Sequence, residues 1–192
     1  MNILLIQGHP DKESYCFALS QAYKKGALAA GAEVEEIVVA DLDFNPNLQY
    51  GYRQRTELEP DLLKAQELVL WSNHIVVVHP VWWGSVPALL KGFFDRVLLP
   101  GFAFKKHEGS KYKWDRLLKG RSAHIIATAD QPGWFYRLRY RRPSYHMLKG
   151  LVFEFCGVSP VRSTFIGPLR LSEEDYRERW LEKVRILGEK QR

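Results

Sequence analysis

Short apolar runs alternate along this chain with longer amphipathic stretches, and that rhythm constrains its fold more than any other feature. Residues 2–7 form a compact apolar run closed by Gly8, the pattern of a strand buried on both faces. Residues 14–30 carry Phe17, Leu19, Ala22, Tyr23 and Leu28 at helical spacing and stop before Gly31, a natural C-terminal cap. Residues 33–40 alternate through Val34, Ile37, Val38 and Val39 and predict a second strand. A helix over 61–72 follows, then a strand over 75–79 halted by Pro80. A helix over 87–98 has Pro87 in its first turn, where a missing N–H costs nothing. Residues 122–128 and 161–166 read as the last two strands, with a helix over 145–155 between them. Ser172 with Asp175 three residues on predicts a capping box. The helix it opens has Tyr176, Trp180, Val184 and Leu187 as its apolar stripe.

Five strands separated by helices require crossovers that cover both faces of a parallel sheet. The expectation is therefore α/β: a flavodoxin-like three-layer sandwich, five-stranded and parallel, of order 2-1-3-4-5. The 192 residues form one domain, with no repeat, low-complexity tract or dividing linker. In that topology a ligand crevice opens at the carboxyl ends of strands 1 and 3. The chemistry is thus sought at residues 8–17, 79–86 and 128–146.

Composition narrows the partners. The net charge of +6 favours anionic ligands, whether nucleotides, nucleic acid or an acidic membrane surface, although generic solubility gives the same balance. The two cysteines, Cys16 and Cys156, stand in no CxxC or His-flanked arrangement, so neither a disulfide framework nor a metal site is expected. The N-terminus lacks a basic n-region and reads as a strand, not a signal peptide. No apolar stretch reaches the ~18 residues of a membrane span. A cytoplasmic protein is expected.

The first loop, running from Gly8 to Cys16, is neither GxGxxG nor a P-loop. It offers the Ser14 hydroxyl and successive backbone N–H groups at a helix start, where the dipole favours a phosphate, and His9 can add a donor. In the plainer reading Ser14 only caps the helix. The second segment, His79 to Arg96, sets Trp82 and Trp83 beside Gly84 and Pro87. Two adjacent indoles cannot both face the core, so at least one borders a cavity or a partner. The third, Tyr136 to Pro143, interleaves four Arg with Tyr. A solvated basic face is the default, a nicotinamide dinucleotide with its 2′-phosphate comes second, and nucleic acid is ranked a distant third.

The second segment resembles the Pro-Leu-x-Trp-x-x-x-Pro-Ala-x-x-Lys-Gly signature of the flavodoxin-like NAD(P)H dehydrogenase (quinone) family, the two-electron NAD(P)H:quinone oxidoreductases. Gly8-His9-Pro10 with Ser14-Tyr15-Cys16 is similar to that family's first loop, and Gly101-Phe102-Ala103-Phe104 to its stretch leading to the substrate pocket. The resemblance implies flavin phosphates held by His9, Ser14, Tyr15 and Cys16. It implies a flavin ring wrapped by Pro80, Val81, Trp82, Trp83 and Gly84, and bordered by Thr128, Ala129 and Asp130. Two departures stand out: Cys16 replaces a usual Asn, and Thr128-Ala129-Asp130 replaces Thr-Thr-Gly-Gly. Tyr136 and Trp134 are the candidates near the hydride acceptor, and Phe104, Lys106 and Trp82 those contacting substrate.

The implied activity is a ping-pong NAD(P)H oxidoreductase using bound flavin, with FMN favoured slightly over FAD, passing a hydride to a quinone-like acceptor. A homodimer and no nucleic-acid partner are implied as well. Two alternatives remain at this point: an ancillary flavin-binding subunit contacting a potassium-efflux transporter in the membrane, and a non-enzymatic flavodoxin-type carrier. Carriers are usually acidic, which counts against the second.

Overall fold

The computed structural model describes residues 1–110 and 112–191. Its sheet is built from β1 (Asn2–Gln7), β2 (Glu33–Val38), β3 (His74–Pro80), β6 (Ser122–Thr128) and β7 (Val161–Ile166). The order is β2-β1-β3-β6-β7 and every pairing is parallel, which is the expected flavodoxin-like 2-1-3-4-5 arrangement. The helices are α1 (Tyr15–Ala29), α2 (Pro60–Trp71), α3 (Ala88–Val97), α4 (Gly133–Tyr140), α5 (Pro143–His146) and α6 (Glu174–Glu189).

Alternation along the central strands divides the core into two layers. Leu4, Ile6, Ile75, Val77 and Ile125 pack on one face with Leu62, Leu90, Phe93 and Phe153. Ile3, Leu5, Val76, Val78 and Ile126 pack on the other with Leu19, Tyr23 and Val184. Every residue of β3 is buried, as a central strand covered on both faces must be. Edge strand β2 instead exposes Glu33 and Glu35, charges that discourage further strand addition.

Helices α1 and α6 touch backbone to backbone. A Cβ on Gly26 would lie 1.9 Å from the Arg185 carbonyl oxygen, and one on Gly188 2.1 Å from that of Tyr23. Glycine at both positions lets the two helices close over the same side of the sheet.

Three expectations need correction. Ser172 does not open a capping box: α6 starts at Glu174, and the Ser172 hydroxyl donates to the Leu169 carbonyl at 2.7 Å, closing a turn of its own. The helix expected over 145–155 is α5 followed by a π-helical stretch, Met147–Glu154. Residues between α3 and β6, to which the sequence pattern assigns no element, form an antiparallel hairpin of β4 (Phe104–Lys106) and β5 (Trp114–Arg116). That hairpin is fastened by Trp114, which stacks on Phe155 at 4.7 Å and donates its indole N–H to the Phe155 carbonyl at 2.9 Å.

The long connection after β2 is held by one buried cation. Arg96 on α3 is 1% exposed and donates to both carboxylate oxygens of Glu59, at 2.7 and 3.2 Å, and to the carbonyls of Asn45 and Glu57. The four bonds from its two terminal nitrogens offset much of the desolvation, although Nε has no partner, and tie residues 45–59 to the core. Among the described residues no helix is long and apolar enough to cross a membrane.

Candidate functional site

The carboxyl ends of β1, β3 and β6 converge on three loops. In the first, Asp11 accepts from the Glu13 N–H at 2.8 Å and donates its own N–H to His9 Nδ1 at 3.0 Å, a compact turn leading into α1. Because Nδ1 accepts, His9 carries its proton on Nε2. Burial holds its pKa below the ordinary value, against the opposing pull of Asp11. Ser14 caps α1, its hydroxyl accepting from the Phe17 N–H at 3.3 Å. The N–H groups of Tyr15 and Cys16 open the helix with no carbonyl of an earlier turn ahead of them. A neutral imidazole donor and two helix-opening amides suit an anion.

The second loop is a tight reversal. Trp82 and Ser85 exchange N–H···O bonds of 3.0 and 2.9 Å, and both residues between them have positive φ, 50° at Trp83 and 75° at Gly84. Two left-handed residues in a row make a type I′ turn, natural for Gly84 and strained for Trp83. The Val81 N–H donates to the Thr128 carbonyl at 2.7 Å, which straps this turn to the end of β6. Trp82 meets the His9 ring edge-on at 5.4 Å and so links the first two loops. Trp83 is fully exposed to solvent.

The third loop, after β6, is braced by the segment beyond β7. Asp130 Oδ1 accepts from the Arg170 N–H at 3.0 Å, and the Ala129 carbonyl accepts from Leu169 at 3.1 Å. Between the second and third loops lies a cleft of about 610 Å3, within the range of small-molecule sites. Val81, Trp83, Gly84, Ala129, Asp130 and Gln131 line it from the loops; Tyr136, Tyr140 and Pro143 line it from the side of α4.

The sequence candidates fall into distinct places. Val81, Trp83, Gly84, Ala129, Asp130 and Tyr136 share the cleft. His9 and Ser14 stand in the neighbouring loop at the start of α1. Pro80 is the last residue of β3 and is buried. Cys16 and Thr128 are buried and do not line the cleft: the Cys16 thiol is 3.2 Å from the Thr128 hydroxyl, and burial pushes the thiol pKa up to about 12. The Tyr15 hydroxyl donates to the Arg177 carbonyl at 2.6 Å, so its polar end faces α6.

Three candidates lie elsewhere. Trp134 is two residues from buried Tyr136 on a 3.6-residue helix, which turns it to the opposite side, and it does not line the cleft. Phe104 is 7% exposed and packs on Phe155 at 5.0 Å, a core residue because the hairpin folds it inward. Lys106 is exposed on β4 and is absent from the cleft wall.

Tyr136 is positioned firmly. Its ring stacks on Phe165 at 5.0 Å, and its hydroxyl lies 2.9 Å from Ser144 Oγ and accepts from the Ser144 N–H at 3.2 Å. The sequence reading missed Tyr140, Gln131 and Pro143. The Tyr136/Tyr140 pair at helical i, i+4 spacing was the available signal for the first. Among the described residues no group of three or more His, Cys, Asp or Glu is placed to hold a metal ion.

The unpartnered polar atoms support a ligand here. Gln7, fully buried as the last residue of β1, has no hydrogen-bond partner for either amide atom, and His79 Nε2 near the end of β3 has none. Buried polar groups rarely go unsatisfied, and these two stand at the strand ends beneath the site. Together with an aromatic-walled cleft and an anion-suited helix start, they fit a planar, phosphate-bearing cofactor such as a flavin.

Comparison with known proteins agrees with this architecture. The chain is 27% identical over 187 residues to an uncharacterized NAD(P)H oxidoreductase of Haemophilus influenzae, covering 95% of this chain and 91% of that protein. It is 29% identical over 122 residues to NAD(P)H dehydrogenase [quinone] 1 of Rattus norvegicus, 53% of this chain but only 44% of that longer protein. An FMN-dependent NADH-azoreductase of Bacillus anthracis, solved in complex with FMN, superposes with a TM-score of 0.77 at 16% identity, covering 100% of this chain and 99% of that one. The family model described as flavodoxin-like fold matches residues 1–186, and the chain belongs to that family.

Proposed function

We propose that this protein is a flavin-dependent NAD(P)H oxidoreductase, an NAD(P)H dehydrogenase acting on quinone-like acceptors. The observation that carries this reading is the cleft at the carboxyl ends of β3 and β6, walled by Trp83, Tyr136 and Tyr140 and floored by strapped loop backbone. The names borne by its relatives, an NAD(P)H oxidoreductase and a quinone dehydrogenase, support it. When bound, the flavin supplies the redox chemistry, taking a hydride from NAD(P)H and delivering electrons to the acceptor in a ping-pong cycle.

The chain's own residues bind and orient. His9 Nε2 and the N–H groups of Tyr15 and Cys16 would hold the phosphate, with Ser14 setting the helix start. Pro80 would fix the exit of the strand, with Trp83 and Gly84 presenting backbone N–H groups along one edge of the ring, Val81 strapping their turn to Thr128 and Trp82 holding it against His9. Thr128, Ala129 and Asp130 would border the other edge, with Asp130 kept in place by the Arg170 N–H. The Tyr136 hydroxyl, held by Ser144, is one of two phenols on the cleft wall and would serve the acceptor with a proton.

FMN is the flavin in this reading, as in the azoreductase of like fold. A homodimer is the working form in this reading, and only the hairpin of a second copy could bring Lys106 to the cleft, since Lys106 and Phe104 do not line the chain's own. The cytoplasm is the expected compartment.

Steady-state kinetics test the reading. FMN-loaded protein should oxidise NADPH or NADH with a benzoquinone, and double-reciprocal plots at several quinone concentrations should be parallel. Intersecting plots would remove the ping-pong cycle. No oxidation with either nucleotide would remove the enzyme and leave a flavin-binding ancillary subunit.

A further inference from the structure

Helix α4 is inside out for a surface helix. Its inward side carries Tyr136, while its outward side carries Trp134, 66% exposed, and Leu138, 73% exposed, one helical turn apart. Arg137 and Arg139 flank them, and Arg141 follows in a left-handed conformation (φ 57°) that ends the helix. Trp83, fully exposed, borders the same region, since Gly84 packs at the edge of Pro143 and both residues share the cleft wall with Tyr140.

The charge of this surface is one-sided. From Gln131 to Phe153 the sequence holds four Arg and one Lys and no Asp or Glu. Lys149 reaches Glu154 at 3.7 Å, but no carboxylate within 4 Å partners Arg137, Arg139, Arg141 or Arg142 among the described residues. Exposed Trp and Leu on one helical face, edged by Arg without carboxylate partners, are what the boundary of an anionic bilayer accommodates: indole and aliphatic groups enter the headgroup layer while guanidinium groups meet phosphate.

We propose that the outer face of α4, with Trp134 and Leu138 as anchors and Arg137, Arg139 and Arg141 as the charged rim, docks the protein onto an anionic lipid bilayer. A second copy of the chain is a poorer occupant, because a twofold contact through this face would set arginines against arginines. Nucleic acid would use the Arg groups but gives Leu138 nothing to bury in. The anchor face is the side of α4 turned away from Tyr136 and Tyr140, so the lipid would contact the helix and not the cleft wall.

Cosedimentation of the full chain with phosphatidylcholine vesicles, with and without phosphatidylglycerol, tests docking without any turnover assay. The expected result is binding only to the anionic vesicles, weakened by salt. Trp134→Ala with Leu138→Ala should weaken it ~10-fold or more, as loss of two apolar anchors requires. Each charge lost in Arg137→Gln or Arg139→Gln should weaken it about fivefold, while Arg137→Lys with Arg139→Lys should retain it. These side chains are exposed, so each variant is expected to fold, which circular dichroism would check. Absence of binding to anionic vesicles, equal binding to neutral ones, or variants that bind as the parent does would overturn the proposal. So would a Trp134→Ala, Leu138→Ala variant that turns a dimer into monomers, which would assign the face to a second copy. Preferential, salt-sensitive binding of an oligonucleotide that survives the loss of Leu138 would assign it to nucleic acid.

Discussion

The Cys16 thiol and the Thr128 hydroxyl meet at 3.2 Å and join the first turn of α1 to the end of β6. This buried contact ties the segment that opens α1 to the strand end from which the third loop leaves. Burial is the main cause of the raised Cys16 pKa, about 12, with the Thr128 bond opposing it; burial likewise raises Cys156 to about 11. Neither thiol should react with iodoacetamide in the native protein at about pH 8, where a thiolate is needed. Both should be alkylated once the chain is unfolded, as mass spectrometry would show. The sign of the stability effect follows: above the ordinary value of 9.0 the unfolded thiols ionise first, so stability falls as pH rises through 9.

Trp83 carries a φ of 50° with its side chain entirely in solvent. A left-handed tryptophan with nothing to pack on costs of order 1 kcal/mol or more, and Gly relieves it. Trp83→Gly should raise the melting temperature, by roughly 1 kcal/mol of stability, while weakening flavin binding. A lower melting temperature by calorimetry would show that the turn depends on the indole.

Arg96→Ala removes four hydrogen bonds that hold the 45–59 connection. Breaking a buried, hydrogen-bonded ion pair costs roughly 3–5 kcal/mol. Glu59 is partly exposed, which places the loss at the low end. Denaturant titration should show that loss, and limited proteolysis should now cut within 45–59. Retention of parent stability would mean that the connection is held by other contacts.

His74 and His79 are buried, and burial is the main cause that brings each from 6.5 to about 4. Between those values the unfolded chain binds protons that the native protein does not. Stability therefore falls as pH drops from about 6.5 towards 4, by up to roughly 3 kcal/mol per histidine. Chemical denaturation at stepped pH should give that slope, reduced in His74→Asn. A flat profile would show that the histidines are charged in the native protein.

The sheet was legible because its strands are nearly pure apolar runs; IVVV within β3 admits no other burial pattern. The first two loops were legible because unusual residues cluster just after strands. What escaped depends on tertiary contacts. The β4 and β5 hairpin has only three-residue strands and is fastened by Trp114 on distant Phe155, which no local pattern announces. Phe104 was misplaced for the same reason, and Trp134 because adjacency to the site in sequence says nothing of which side of α4 it takes. Ser172 has the right spacing for a capping box, yet its hydroxyl is captured by the Leu169 carbonyl.

The most direct test of the central claim is titration of FMN fluorescence with the apoprotein, compared with the Gly84→Val variant, whose φ of 75° and 3.3 Å approach to Pro143 disfavour a side chain. Saturable quenching at one FMN per chain, weakened in the variant while the fold is kept, is the predicted result. FMN that stays fluorescent at every protein concentration would contradict the assignment of this cleft to a flavin.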